Sequence, residues 1–180
     1  MKLVARQPAP DFNAQDAYGK PVSLAALRGQ KVWLAFYRTA GCPVCNVRFH
    51  EVEKESAYLK SKGVVALAVY MSQAPNLRKY LADQPVYPTV LPDPEGRLYK
   101  LYDTESSVGK LMSGLLFHGG LGQMNKGKKL PFNGATDVGP KTLIGAEFLI
   151  DEAGQVATAY YGKYSGDFLP LADVKAFAAR

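Results

Sequence analysis

The sequence predicts an α/β fold, a mixed central sheet with helices on both faces. Three observations carry it. "KVWLAFY" at 31–37 and "VVALAVY" at 64–70 are nearly unbroken apolar runs, as suits strands covered on both faces. The segment between them has helical periodicity. "TLIGAEFLID" at 142–151 and "QVATAYYG" at 155–162 flank the turn Glu152-Ala153-Gly154, which reads as an antiparallel hairpin.

The elements follow in order. "DAYGKPVSL" at 16–24 reads as a short hairpin with Gly19 in its turn. After the strand at 31–37, a helix is predicted from Pro43 to Lys62. Cys45, Phe49, Val52, Ser56 and Leu59 fall on one face at steps of four and three. Pro43 suits the first turn, and Gly63 suits the position after the end. The strand at 64–70 leads to a helix at 74–83, a strand at 87–93 ended by Pro92, and a helix at 95–103. "DFLPLADVKAFAAR" closes the chain as a helix. The segment 104–141 interrupts the rhythm with eight glycines, among them Gly114, Gly120, Gly127 and Gly134. It reads as a long loop, functional or poorly ordered, whose apolar front half "LMSGLLFHGGLG" packs on the body. Its glycines predict a movable lid or docking surface beside the cysteines. The whole reads as one domain, 1–180, with an insertion at 104–141.

Composition excludes several function classes. The chain is 47% hydrophobic and 21% charged, with a net charge of +6. Apart from "NKGKK" at 125–129 the basic residues are dispersed, so no nucleic-acid stripe is predicted. No stretch approaches the ~20 apolar residues of a membrane helix, and Leu3, Val4 and Ala5 alone precede Arg6, too few for a secretory signal. A cytoplasmic location is therefore expected. Thiols stay reduced there, so a close cysteine pair points to catalysis or metal binding.

The only two cysteines are Cys42 and Cys45, three apart in "FYRTAGCPVCNVRF". They fall where a buried strand meets a helix. Cys42 is placed at the helix N-cap, where unpaired N–H groups and the helix dipole stabilise a thiolate. Cys45, within the first turn, is close enough to form a disulfide with Cys42 after a first attack. The alternative is two buried thiols acting as small hydrophobes. A structural zinc usually needs four ligands, and the chain has only His50 and His118 besides the pair. His50 lies about 12 Å beyond Cys42 along the predicted helix; a solvated His50 and a packed or solvated His118 are the simpler readings.

At these residues the chain resembles a known family. "PAPDF", "GKPVSLAAL", "KVWLAFY" running to "TAGCPVC", and "AEFLIDEAGQV" look like the alkyl hydroperoxide reductase / thiol-specific antioxidant group, peroxiredoxins and relatives. The resemblance covers 8–103 and 142–180 and is weakest across 104–141. It implies a thioredoxin-like fold and a thiol-dependent oxidoreductase needing no cofactor. Cys42 would attack a peroxide or disulfide, Cys45 would resolve, and an external thiol such as thioredoxin, glutaredoxin or glutathione would restore the pair. Two other readings use the same sulfurs. One is a thioredoxin- or glutaredoxin-like disulfide reductase; the other is a redox-sensing or metal-carrying binding protein. Oligomeric state is left open.

The departures from the family pattern are specific. Thr39 matches its threonine, but Ala35 stands at its proline and Gly145 at its arginine. A missing arginine implies weak peroxide reduction beside competent disulfide exchange. Arg38, on the cysteine loop, is the candidate replacement, against the plain reading of a solvated side chain. Glu147 interrupts a strand predicted to be buried on both faces. It is a candidate acceptor of the Cys45 proton, or else an exposed or lysine-paired carboxylate.

Overall fold

The structure, a computed structural model, describes residues 1–82, 84–130 and 139–180. The N-terminal hairpin pairs β1 (Asn13–Gln15) with β2 (Pro21–Ser23). Its turn closes because the Asp16 carboxylate accepts from the N–H groups of Tyr18 and Lys20, with Gly19 at φ +86. A 3-10 turn at Ala25–Leu27 leads into β3 (Lys31–Phe36). Then come α1 (Pro43–Lys54), α2 (Ser56–Ser61), β4 (Val64–Tyr70), α3 (Ala74–Leu81), β5 (Thr89–Pro92) and α4 (Arg97–Leu101). The chain continues through α5 (Val108–Phe117) and α6 (Gly120–Lys129), then the hairpin β6 (Ala146–Ile150) and β7 (Val156–Tyr161), and ends with α7 (Leu171–Ala179).

The sheet order is β5-β4-β3-β6-β7. β3 and β4 run parallel, as do β4 and β5, while β6 is antiparallel to both β3 and β7. The sheet is mixed, as predicted. Alternation along β3 divides the core. Val32, Leu34 and Phe36 join Val69, Phe148 and Tyr102 on one face. Ala35 and then Tyr37 join Cys42, Cys45, Phe49 and Tyr80 on the other. No helix among the described residues is long and apolar enough to cross a membrane.

Three expectations are corrected. The helix predicted over 43–62 is two helices, because the backbone tightens at Glu55, whose N–H bonds back to the Val52 carbonyl. The strand predicted from 142 begins at Ala146. Residues 142–144 instead meet the chain before α5, with Ser107 N–H on the Thr142 carbonyl and Ile144 N–H on the Glu105 carbonyl. The described part of 104–141 is largely helical rather than a loop. Ser107 caps α5 by accepting from the Lys110 N–H, and Gly119, at φ +71, turns the chain into α6.

Three of the insertion's glycines stand at close crossings. A Cβ at Gly114 would collide with the Ser165 carbonyl, one at Gly120 with Gly114, and one at Gly127 with the Pro43 carbonyl. Asn46 Nδ2 donates to the Gly127 carbonyl at 3.0 Å, and His118 stacks on Tyr164 at 3.8 Å. The insertion is thus bolted to α1 and to the loop after β7. Residues 131–138, Gly134 included, and Asp83 at the end of the helix predicted over 74–83 lie outside the described residues.

One buried ion pair sets α1 on the sheet. Arg48 and Glu147 are 3% and 1% exposed. Arg48 Nε and a terminal nitrogen donate to the two Glu147 oxygens at 2.9 and 2.8 Å. The same terminal nitrogen reaches the Leu169 carbonyl, and the Leu169 N–H returns to Glu147. The guanidinium also lies over Trp33 and Phe168, at 5.2 and 5.4 Å.

Removing one partner of such a pair strands a buried charge. Arg48→Ala is expected to cost about 3–5 kcal/mol, read as a lower midpoint in urea unfolding. The double replacement Arg48→Met with Glu147→Leu should recover much of that loss.

Candidate active site

β3 delivers the chain to the site and α1 carries it away. Beyond Phe36, the Tyr37 N–H still pairs with the Val69 carbonyl and the Met71 N–H with the Arg38 carbonyl. The loop is then fastened to the end of β4, with Ala40 N–H on Ser72 Oγ at 3.0 Å. The Cys42 N–H closes a turn onto the Thr39 carbonyl. Cys42 is the N-cap of α1, with extended backbone at φ -81 and ψ 109, and Pro43 opens the helix.

Both thiols are free and nearly buried, Cys42 at 3% and Cys45 at 5% exposure. Cys42 Sγ accepts from the Cys45 N–H at 3.3 Å and from Arg38 Nε at 3.2 Å. The Arg38 N–H donates to Cys45 Sγ at 3.4 Å. A terminal nitrogen of Arg38 donates to the Lys141 carbonyl at 2.6 Å, which aims the guanidinium at the sulfur. Arg38 is therefore not the solvated side chain of the plain reading.

The two thiols are pushed in opposite directions. Burial alone would raise Cys42. The Cys45 thiol and N–H and the Arg38 charge and Nε–H together outweigh it, leaving Cys42 lowered to about 6. Burial raises Cys45 well above the ordinary thiol value, and its hydrogen bond to Cys42 and the charge there raise it further. Burial likewise keeps Tyr37 and Tyr70, behind the pair, as neutral phenols.

A cavity of about 560 Å³ opens onto Cys42. Arg38, Thr39 and Cys42 line it together with Leu111, Leu115 and Met124 of the insertion. The insertion does lie beside the cysteine loop, as predicted, and lines the cavity there. Thr39 is 9% exposed, and its methyl group packs where a side chain at Gly139 would stand. Gly145 lies close under the Phe36 carbonyl and the Phe168 ring, so the guanidinium arrives from Arg38 on the loop.

Glu147 is corrected. Its oxygens are engaged by Arg48 and the Leu169 N–H, and among the described residues it makes no hydrogen bond to either sulfur. Burial raises its pKa and the Arg48 charge opposes that rise. Its partner is an arginine, and its work is to hold α1 rather than to take the Cys45 proton. Sequence reasoning missed Arg48 and Asn46. Arg48 sits three residues past Cys45 on the predicted inward face, a charge at a core position that asks for a buried partner. Asn46 is 2% exposed; its amide oxygen accepts from Tyr80 while its nitrogen holds α6.

Among the described residues no group of three or more His, Cys, Asp or Glu is placed to hold a metal. His50 Nδ1 lies 2.9 Å from the Asn46 carbonyl oxygen, one turn back on α1.

The chain is similar to several known proteins. The family model of AhpC/TSA matches residues 5–159. Peroxiredoxin Bcp of Escherichia coli is 27% identical over 116 residues, 63% of this chain and 74% of that protein. The crystal structure of peroxidoxin BcpB from Mycobacterium tuberculosis superposes with a TM-score of 0.69 at 16% identity, covering 98% of this chain and 97% of that one. A thiol:disulfide interchange protein of the thioredoxin family from Chlorobium tepidum gives 0.58 at 22% identity, covering 97% and 94%. The structural likenesses show the predicted thioredoxin-like fold.

With Cys42 lowered to about 6, the thiolate predominates at neutral pH and is lost as pH falls through that value. Alkylation of Cys42, followed in Cys45→Ser as well as in the parent, should show a midpoint well below that of an ordinary thiol, ~8.5. Arg38→Ala should move it upward. A midpoint unchanged by Arg38→Ala would show that the guanidinium does not set it.

Proposed function

The chain belongs to the AhpC/TSA family, and we propose that within it the protein is a peroxide-reducing thiol oxidoreductase with Cys42 as nucleophile and Cys45 as resolving thiol. The observation that carries this is the pair of donors on Cys42 Sγ, the Arg38 guanidinium and the Cys45 N–H. The thiolate attacks the outer oxygen of a hydroperoxide. An S–O bond forms, the O–O bond breaks, and the departing alkoxide takes a proton from solvent. Arg38 supplies positive charge where negative charge moves from sulfur to oxygen. Cys45 then attacks the sulfenic sulfur; an S–S bond forms, and the S–O oxygen leaves as water with the Cys45 proton. Two electrons from an external dithiol such as thioredoxin or glutaredoxin, or from two molecules of glutathione, return the pair to its reduced state, the reductant leaving as a disulfide. With that external reductant, the cysteine chemistry requires no cofactor.

Burial of both sulfurs behind a cavity favours a small-molecule oxidant over a protein disulfide. The expectation of weak peroxide reduction rested on an empty arginine position, and Arg38 at 3.2 Å from Cys42 Sγ supplies the missing charge. The reading includes a cytoplasmic location, supported by a close thiol pair suited to a reducing compartment. It also treats 1–180 as one domain, supported by the packing of α6 on α1.

Cys42→Ser should abolish turnover, whereas Cys45→Ser should react once and stop as a sulfenic acid or mixed disulfide. Mass spectrometry of the stalled protein distinguishes these; turnover retained in Cys42→Ser, or an inert Cys45→Ser, would sink the assignment. Arg38→Ala, measured at a pH where Cys42 is still fully ionised, should slow peroxide reduction by about 100- to 1000-fold and exchange with a small disulfide far less. Equal losses on the two oxidants would make Arg38 a support of the loop and nothing more.

A further inference from the structure

The insertion turns a second face to solvent, one that the cysteine chemistry does not use. In α5 the inward position is Gly114, pressed on Ser165; in α6 the inward positions are Gly120 and Gly127, against Gly114 and Pro43. Opposite them the side chains are exposed. Val108, Met112 and Leu116 follow one another at steps of four along the outside of α5. Phe117 and Leu121 stand on either side of the turn into α6, at 78% and 59% exposure. Lys128 and Lys129, seven and eight residues after Leu121, continue the outer face of α6, with Lys126 beside them, and all three are exposed. We infer that this helical hairpin docks on an anionic lipid surface. Phe117, Leu121 and the outer side chains of α5 enter the headgroup region, and the lysines of α6 meet the lipid phosphates.

Charge chooses the partner. Residues 106–130 hold four lysines and no Asp or Glu, although the whole chain has 16 acidic residues. A second copy meeting the same face across a two-fold axis would bring these like charges together with no carboxylate to pair them. A nucleic acid would engage the lysines and leave Val108, Met112, Leu116, Phe117 and Leu121 in water. The arrangement of the apolar residues narrows the choice further. None of the five lines the cavity at Cys42. They project from two helices and the turn between them, so a protein partner would need a hollow shaped to receive them, whereas a fluid bilayer adapts to them. Projecting aliphatic and aromatic side chains beside a run of lysines is the composition of helices that lie in the headgroup region of membranes. Each lysine near an anionic leaflet adds its own attraction, and an apolar patch of this kind is otherwise a liability for a protein in water.

Co-sedimentation of the full chain with phosphatidylcholine vesicles, with and without phosphatidylglycerol, tests this. The wild-type protein should partition onto the anionic vesicles and far less onto the neutral ones. Phe117→Asn and Leu121→Asn should each lower the partition coefficient about ten-fold. Lys126→Gln and Lys129→Gln should each lower it about five-fold. High salt should remove the lysine effect and leave the apolar one. Tyr18→Asn, at an exposed residue on the β1–β2 turn, should change nothing. No binding to anionic vesicles, or binding that the hairpin variants leave unaltered, overturns the inference. Sedimentation equilibrium without lipid checks the second copy: a dimer that Phe117→Asn dissociates would give this face to another chain and overturn the inference too. Tighter binding to polyglutamate or to duplex DNA than to the anionic vesicles would do the same. None of these readouts depends on Cys42, so they stand or fall apart from the peroxide reading.

Discussion

The Arg48–Glu147 pair is the constraint on which the site depends. β3 ends at the cysteine loop, and β6 lies beside it with Glu147 opposite Ala35. Arg48 stands three residues, just under one turn, beyond Cys45. Joining these two side chains therefore fixes the second turn of α1 against β6, the strand paired with the one that feeds it. The cost of burying two charges is high. It is offset by geometry, because both carboxylate oxygens are engaged and the guanidinium has further acceptors in Glu51 and the Leu169 carbonyl. A hydrophobic pair would hold α1 less directionally. At a site where one N–H and one guanidinium must both meet a sulfur, orientation matters more than gross adhesion.

At Cys42 burial and charge oppose each other, and charge wins. A thiol at 3% exposure in an apolar cluster would ordinarily stay protonated. The sulfur escapes this because its donors come from its own loop and its own helix, four residues before it and three after. Nothing is needed from the distant strand, where Gly145 has no side chain. Arg38 in turn depends on the insertion, since the Lys141 carbonyl orients it. The activating cation thus takes its orientation from the same segment that lines the cavity.

Much of this was legible in the sequence, for reasons that can be named. Buried strands announce themselves as unbroken apolar runs, which placed β3 and β4, and the turn at Glu152-Ala153-Gly154 placed the β6–β7 hairpin, though not the start of β6. Cys42 was placed at the N-cap because a strand-to-helix junction leaves few positions for it, and the structure agrees. The insertion was misread because glycine has two uses that look alike in a sequence. One is conformational freedom, as at Gly119; the other is the absence of a Cβ at a close crossing, as at Gly114 and Gly127. Only the neighbour tells them apart, and Ser165 and Pro43 are distant in sequence. Glu147 was flagged correctly as a buried charge but given the wrong work. Its partner lies 99 residues away, and a single sequence carries no sign of that pairing beyond a second charge at a core position.

The opposed pKa shifts of the two cysteines also order the proposed cycle. While Cys42 is a thiolate, its charge and its hydrogen bond help keep Cys45 protonated, beyond what burial alone imposes. Cys45 then behaves as a donor that steadies the nucleophile instead of competing with it. Oxidation of Cys42 to a neutral sulfenic acid removes that negative charge. The Arg38 charge and its N–H to Cys45 Sγ remain, and both favour the Cys45 thiolate. The resolving thiol therefore becomes easier to ionise once its target exists. Arg38 serves both steps from one position, its Nε on the first sulfur and its backbone N–H on the second. A lysine at the same place would keep the charge and the backbone donor but lose the planar fork that reaches the Lys141 carbonyl and Cys42 together. The chain thus compensates for the empty position at Gly145 with a residue whose side chain and main chain each address one cysteine.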